Sequence, residues 1–148
     1  MRIGAIGGRA LLLEGDDRGV DLATASQGAL PSDPQAVFDH WRDVTDWVAS
    51  SPRLDFEPID PARLELPTPR PRQVFAIGAN YRAHAAEAGV APPEQPVIFT
   101  KFPSCLTGPN DSVVVDSAKV DWEAELVVVM GRDARDVSRA DAWSYVAR

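Results

Sequence analysis

At 148 residues, 45% hydrophobic and 25% charged, the chain suits one ordinary domain, or a small domain plus part of another, and can bury a core. Its 22 acidic and 15 basic side chains leave a net charge of −7. That balance disfavours non-specific binding to nucleic acid or an acidic membrane, though not a small anionic substrate held by a local cation. A single cysteine, Cys105, excludes an internal disulfide, and its Ser104-Cys105-Leu106 setting reads as a small buried or loop thiol. No run approaches the ~18 apolar residues of a membrane span. The N-terminus lacks the apolar core of a signal peptide, so a cytoplasmic protein is expected.

Residues Arg2 to Leu22 read as short strands. Ile3–Ile6 and Ala10–Glu14 flank Gly7-Gly8, a hairpin signal, and Gly15–Gly19 marks a second turn leading into Val20–Ala23. The Gly4-x-x-Gly7-Gly8 cluster has the wrong spacing for a dinucleotide loop, and no helical pattern follows it. Asp33-Pro34 opens a helix, with Asp33 as N-cap and the proline in the first turn, where its missing N–H costs nothing. Val37, Trp41, Val44 and Val48 recur at helical spacing as its apolar face, widened by Phe38 and Trp47, with His40 at the edge. Ser50-Ser51-Pro52 ends that helix. Pro52, Pro58, Pro61, Pro67, Pro69 and Pro71 then make an extended linker, the clearest domain boundary in the chain.

Beyond the linker, Gln73–Gly78 reads as a buried strand. Asn80 caps a short helix over Tyr81–Ala88 that Gly89 closes, and Pro96–Lys101 is another strand. Ser112–Val115 reads as a short strand before Val120–Gly131, the strand around which this half is organised. Side chains alternate along it, so Glu123 and Glu125 share a face with Cα atoms roughly 6.6 Å apart. Its Val127–Met130 run is expected to be buried on both sides. Ser138–Asp141 resembles a capping box opening a last helix with Ala142, Tyr145 and Val146.

Three groups of residues carry candidate chemistry. His84 and Glu87 are three apart on the short helix and can approach each other, a plausible pair for activating water; the alternative is an incidental contact on a surface helix. Alanines at 83, 85, 86 and 88 make that helix slim enough to serve as a lid. Glu123 and Glu125 can converge on one hard cation, Mg²⁺ or Mn²⁺ rather than Zn²⁺, but do not complete a site. Lys101 at a strand end, with Tyr81 and Arg82 at the start of the lid, can face a substrate carboxylate; from the residues alone they equally suit ordinary surface positions.

These motifs together resemble the fumarylacetoacetate hydrolase family. Ala76-Ile-Gly-Ala-Asn-Tyr-Arg-Ala-His-Ala-Ala-Glu87 is similar to its Asn-Tyr-x-x-His-Ala-x-Glu signature. Phe99-Thr-Lys-Phe-Pro103 with Thr107-Gly-Pro109 resembles its Phe-x-Lys segment, and Val120–Gly131 its Glu-x-Glu metal strand. The resemblance runs from about Val74 to Ala147 and implies an α+β protein. A small N-terminal α/β domain with the proline-rich linker would occupy residues 1–70, and the incomplete start of a mixed β-roll catalytic domain residues 71–148. It further implies Glu123 and Glu125 as two of three carboxylate ligands to Mg²⁺ or Mn²⁺, His84 and Glu87 as the water-activating dyad, and Lys101, Tyr81 and Arg82 in the pocket.

The activity implied is hydrolysis of a 2,4-dioxo acid to a pyruvate-type 2-oxo acid and a second acid. Decarboxylation of 2-oxo acids and keto–enol isomerisation are the alternatives within the family. A homodimer is expected for the full-length form, with no nucleic-acid or membrane partner. The family's third ligand, an aspartate, lies shortly beyond a Tyr-Val-Ala-Gly-like sequence. This chain has Tyr145-Val-Ala147, then Arg148, and neither Asp111, Asp116 nor Asp121 matches that position. The expectation is therefore an N-terminal portion of the enzyme, or else a truncated, non-catalytic remnant or interaction module.

Overall fold

The Gly7-Gly8 hairpin forms in register. The structure, a computed structural model, describes residues 1–51 and 53–148; Pro52, counted above among the linker prolines, lies outside the described residues. β1 (Ile3–Ile6) and β2 (Arg9–Glu14) pair antiparallel from Ile3 opposite Leu12 to Ile6 opposite Arg9. Gly7 and Gly8 hold φ of 59° and 69°, the positive values that a two-residue type I′ turn requires at both central positions. β3 (Arg18–Asp21) pairs with β2, and β4 (Glu57–Pro58) with β3, giving a four-stranded sheet in the order β1-β2-β3-β4. β3 stops at Asp21 rather than running to Ala23. The Asp21 carboxylate accepts from the Thr24 N–H at 2.8 Å and caps a helical turn, α1 (Leu22–Ala25).

Alternation along β2 sorts its side chains onto two layers. Ala10 and Leu12 face the helices and join Leu22, Leu30, Val37 and Val44 in one core, with Ile3, Val20 and Phe38 packed around it. α2 (Pro34–Asp39) is capped by Asp33, whose carboxylate accepts from the Gln35 N–H at 3.2 Å. α3 (Trp41–Ser50) follows at once. The single helix expected here is two, because His40 leaves helical dihedrals (φ −114°, ψ 27°). The bend lets Phe38 and Trp41 stack at 5.5 Å while Val37 and Val44 both stay fully buried.

The proline-rich stretch is more than a linker. It straps the opposite layer of the sheet from one edge to the other. β4 closes the β3 edge, and the Ile59 N–H donates to the Asp17 carbonyl at 2.8 Å. After a 3₁₀ turn at Pro61–Arg63, Glu65 pairs with Ala5 at the β1 edge, its N–H donating to the Ala5 carbonyl at 2.9 Å. The Glu65 carboxylate then accepts from both turn amides, Gly7 at 3.0 Å and Gly8 at 2.9 Å. The outer edges of β3 and β1 each gain a partner in this way, which shortens the open template that an edge strand presents. Gly4 makes room for the strap: a Cβ there would lie 2.9 Å from Leu13 Cδ1 and 3.2 Å from Leu64 Cδ2.

The backbone forms two compact units, Met1–Pro69 with Thr107–Arg148, and Arg70–Leu106. In the second, β5 (Val74–Gly78) and β6 (Val97–Lys101) pair antiparallel, with Val74 opposite Lys101 and Gly78 opposite Val97. Between them lies α4 (Arg82–Glu87), and a 3₁₀ turn at Pro103–Cys105 follows. Cys105 is an exposed loop thiol.

The later part of the first unit departs most from expectation. Neither Ser112–Val115 nor Val120–Gly131 forms a strand; residues 112–129 have no helix or strand, and Met130 makes one isolated bridge to Val146. The valine run is not buried: Val127 is 78% exposed and Trp122 82%. An alternating pattern states which face a strand would bury, but a strand exists only when a second strand completes its ladder. The last helix is likewise only a 3₁₀ turn, Ala142–Tyr145. Its Ser138–Asp141 cap does form, with the Asp141 N–H donating to Ser138 Oγ at 3.2 Å.

Candidate functional site

The dyad helix begins under backbone strain. β5 ends at Gly78, and Ala79 takes φ 51°, a left-handed value that a residue with a Cβ adopts at a cost of about 1–2 kcal/mol. The reversal redirects the chain from β5 into α4. The N-cap is Tyr81, not Asn80, and the helix covers Arg82–Glu87, one residue later and shorter than the sequence pattern suggests. Ala88 ends it, and Gly89 at φ 68° supplies the left-handed residue beyond.

His84 and Glu87 sit one turn apart on α4, where i, i+3 side chains are neighbours. Both are exposed, as are Tyr81 and Arg82; Ala85 is the helix's fully buried residue. Lys101 ends β6 directly opposite Val74, the first residue of β5, and its ammonium lies 5.8 Å from the centroid of the Phe99 ring. The hairpin and its intervening helix therefore gather Tyr81, Arg82, His84, Glu87 and Lys101 in one 37-residue unit, Arg70–Leu106.

Glu123 and Glu125 belong to the other unit, on the extended run before the valines, and both are exposed. Their chemistry suits a hard divalent cation, since both offer carboxylate oxygen. Their number does not complete a shell. Among the described residues, no group of three His, Cys, Asp or Glu side chains is disposed to hold a metal ion. Alone, two carboxylates would make at most a partial ligand set.

Asp111 is held in a turn of its own. Its carboxylate accepts from Thr107 Oγ1 at 2.8 Å and the Gly108 N–H at 2.7 Å, and these bonds lower its pKa, the hydroxyl contributing most. Asn110 Nδ2 donates to the Pro61 and Ala62 carbonyls at 3.2 Å each, tying this turn to the strap. The Thr107-Gly-Pro109 motif thus has a structural job that spacing alone does not disclose. The strained Ala79 carried no sequence signal either, because alanine rarely marks a positive φ.

After the extended run, the backbone closes on itself. The Gly131 N–H donates to the Tyr145 carbonyl and the Ala147 N–H to the Val129 carbonyl, each at 2.8 Å. A Cβ on Gly131 would lie 2.7 Å from Trp41 Cδ1, so only glycine lets the indole approach this closely. Beside this contact is an open apolar cavity of about 310 Å³ lined by Phe38, Trp41, Pro67, Val127, Val129 and Trp143, among others. No helix among the described residues is long and apolar enough to cross a membrane.

Comparison with known proteins gives the family. Residues 73–148 match the family model described as fumarylacetoacetate (FAA) hydrolase C-terminal. A fumarylacetoacetate hydrolase domain-containing protein 2 homolog of Dictyostelium discoideum is 37% identical over 135 residues, 86% of this chain and 43% of that protein. A Burkholderia cenocepacia protein designated a candidate hydrolase is 45% identical over 100 residues, 60% of this chain and 36% of the relative. The crystal structure of a candidate HpcE protein from Mycobacterium smegmatis superposes with a TM-score of 0.84 at 43% identity, covering 99% of this chain and 52% of that one. The chain thus spans about half of the solved relative and less of the two curated ones. It belongs to the fumarylacetoacetate hydrolase family.

Proposed function

We propose that this chain carries the lid and the carboxylate pair of a metal-dependent hydrolase that cleaves a C–C bond of a 2,4-dioxo acid, giving a pyruvate-type 2-oxo acid and a second acid. The observation that carries the reading is the dyad, His84 and Glu87 one turn apart on a short exposed helix launched from a strained turn. His84 takes a proton from the attacking water, and Glu87 stabilises the imidazolium that results. Water adds to the 4-oxo carbon. As the C3–C4 bond breaks, its electron pair passes to C3 and leaves the enolate of the 2-oxo acid, which is then protonated. Lys101 and Arg82 offer cations to the substrate carboxylate and to this developing charge, and Tyr81 a hydroxyl.

Glu123 and Glu125 are the residues that would hold Mg²⁺ or Mn²⁺, together with ligands from outside the pair. The cation would supply Lewis-acid stabilisation of charge on the substrate oxygens. The whole protein would be a cytoplasmic homodimer.

In the enzyme that contains this chain, His84→Ala should slow hydrolysis by about 10²–10⁴-fold with metal affinity unchanged. Glu123→Ala should abolish metal-dependent turnover, and undiminished turnover would refute the ligand assignment. Product analysis separates the alternatives: a second carboxylic acid means hydrolysis, CO₂ release means decarboxylation, and neither means isomerisation. A second reading, a non-catalytic module, is favoured for the 148 residues alone by the partial ligand set. It predicts weak Mg²⁺ binding and little turnover, and full activity from these residues would exclude it.

A further inference from the structure

We propose that the N-terminal sheet and its helices are the frame that positions the carboxylate run. They clasp it through Asn110, before Glu123, and through a Trp41–Gly131 contact, after Glu125. If those two glutamates hold the metal ion, as proposed for them, Asn110 and Gly131 are positioning residues for it. The grouping of the chain supports this. Thr107–Arg148 forms one compact unit with Met1–Pro69, whereas His84, Glu87 and Lys101 belong to Arg70–Leu106.

The first clasp is the Asn110 carboxamide, which donates to two successive carbonyls of the strap, Pro61 and Ala62, at 3.2 Å each. The receiving turn is itself fixed. Asp60 accepts from the Ala62 N–H through its carboxylate and from the Arg63 N–H through its carbonyl, both at 3.0 Å. Glu65, just beyond, is bridged to the sheet at Ala5. On the other side of Asn110 the turn is closed by Asp111, whose carboxylate lies so near Gly108 that a Cβ there would be 2.9 Å from Oδ2. Asn110 is exposed, so its two bonds add little stability. What two N–H groups of one rigid carboxamide do fix, on adjacent acceptors, is direction.

The second clasp is steric. The Trp41 indole is oriented by its stacking on Phe38, with the rings 5° from parallel. Gly131 meets that indole on one side and the Ala147 backbone on the other: an added Cβ would lie 2.7 Å and 3.0 Å from Trp41 Cδ1 and Cγ, and 3.2 Å from Ala147 Cα. The next residue is held as well, because the Arg132 guanidinium lies 3.9 Å from the centroid of the Tyr145 ring and donates to Ser144 Oγ. The backbone that follows the glutamates thus has little freedom to shift. Ligands of a hard divalent ion must be placed to within about 0.5 Å, and anchors at both ends of the run serve that requirement.

The test measures Mn²⁺ affinity by electron paramagnetic resonance titration in the enzyme that contains this chain, with thermal melts and amide exchange alongside. Asn110→Ala should weaken Mn²⁺ binding by about three- to tenfold while exchange protection of β1–β3 is unchanged. Gly131→Ala should weaken it by a similar factor. That factor should fall to near one when Trp41→Leu is already present, because the indole that the new methyl group meets is gone. Variants that lower the melting temperature but leave Mn²⁺ affinity as it was would overturn the proposal. So would a Gly131→Ala effect that persists in full beside Trp41→Leu. Glu123→Ala separates the frame from the ligand assignment on which it rests. If that variant binds Mn²⁺ as tightly as the parent, the assignment fails and the frame with it; if it loses Mn²⁺ while the Asn110 and Gly131 variants do not, the frame alone fails.

Discussion

Two regions of this chain face the same physical problem and solve it differently. The first 69 residues have a sheet, three helices and a strap, and they contain Leu22, Val37 and Val44, all fully buried. Residues 107–129 are richer in valine but hold no buried side chain among them. The difference is closure. The N-terminal sheet has a partner on each face, so every apolar residue of β2 has something to pack against. The later stretch has the residues of a strand and no ladder. Hydrophobic composition supplies the driving force for burial, and topology decides whether it is spent within the chain.

The largest expected effect tests that contrast directly. Leu22→Ala should cost about 2–5 kcal/mol in denaturant unfolding, because it empties a fully enclosed site. Val127→Ala, in the open stretch, should change stability by no more than about 0.5 kcal/mol. Similar losses from the two variants would mean that the valine run is buried in solution.

Asp21 sharpens the comparison by pH. Arg9 donates to both of its oxygens, at 2.7 and 2.8 Å, and the Thr24 N–H bonds it as an N-cap. The Arg9 hydrogen bond is the main reason that its pKa is lowered to about 2. A carboxylate whose pKa is depressed by folding stabilises the fold above its unfolded pKa, near 3.9, and loses that contribution as pH falls toward 2. The N-terminal core should therefore weaken between about pH 4 and 2. Asp21→Asn keeps a cap acceptor but loses the charge that pairs with Arg9, so it should flatten this dependence and cost about 0.5–1 kcal/mol at neutral pH. Thermal melts across that range decide the matter; an unchanged slope in the variant would assign the acid sensitivity elsewhere.

Glu65 tests the strap. Glu65→Ala leaves the Gly7 and Gly8 amides without their acceptor, though water can reach them, so the expected loss is about 1 kcal/mol. Faster amide exchange at Gly7, Gly8 and Glu65 should accompany it. Exchange unchanged at these three would show that the strap holds by the packing of Ile59 and Leu64 alone.

What could be read from the residues follows the same division. Local signals came through: Gly7-Gly8 as a hairpin turn, Asp33-Pro34 as a helix start, and β5 and β6 as strands flanking a slim helix, though β5, expected to be buried, leaves Phe75 56% exposed. The spacings of His84 with Glu87 and of Glu123 with Glu125 are local and so could be read from the sequence, while the roles given to them are proposals. Contacts between distant residues could not be read in this way. The prolines from Pro58 to Pro67 look like a linker because proline disfavours helices and central strands, yet an edge position suits Pro58 well. The pairing of Glu65 with the Gly7-Gly8 amides joins residues 57 or 58 apart, beyond any periodicity. Val120–Gly131 failed for the complementary reason: its pattern is a strand's, but apart from the bridge at Met130 no second strand pairs with it among the described residues.

The one expected gain, rather than loss, lies at Ala79, where backbone strain adjoins the candidate site. Its left-handed φ costs about 1–2 kcal/mol, and glycine removes that cost. Glycine also enlarges the unfolded ensemble, which returns about 0.4–1 kcal/mol. The two oppose each other, so Ala79→Gly should stabilise the unit around α4 by no more than about 1.5 kcal/mol. The gain should be local, visible as slower amide exchange over Arg82–Glu87, because this unit has only Ala85 fully buried and little to transmit it. Under the proposed function, turnover separates two uses of the strain. If Ala79 merely tolerates the turn, activity is unchanged. If its fixed backbone sets the angle at which His84 and Glu87 leave β5, the more stable variant turns over more slowly, and stability and function part at a single methyl group.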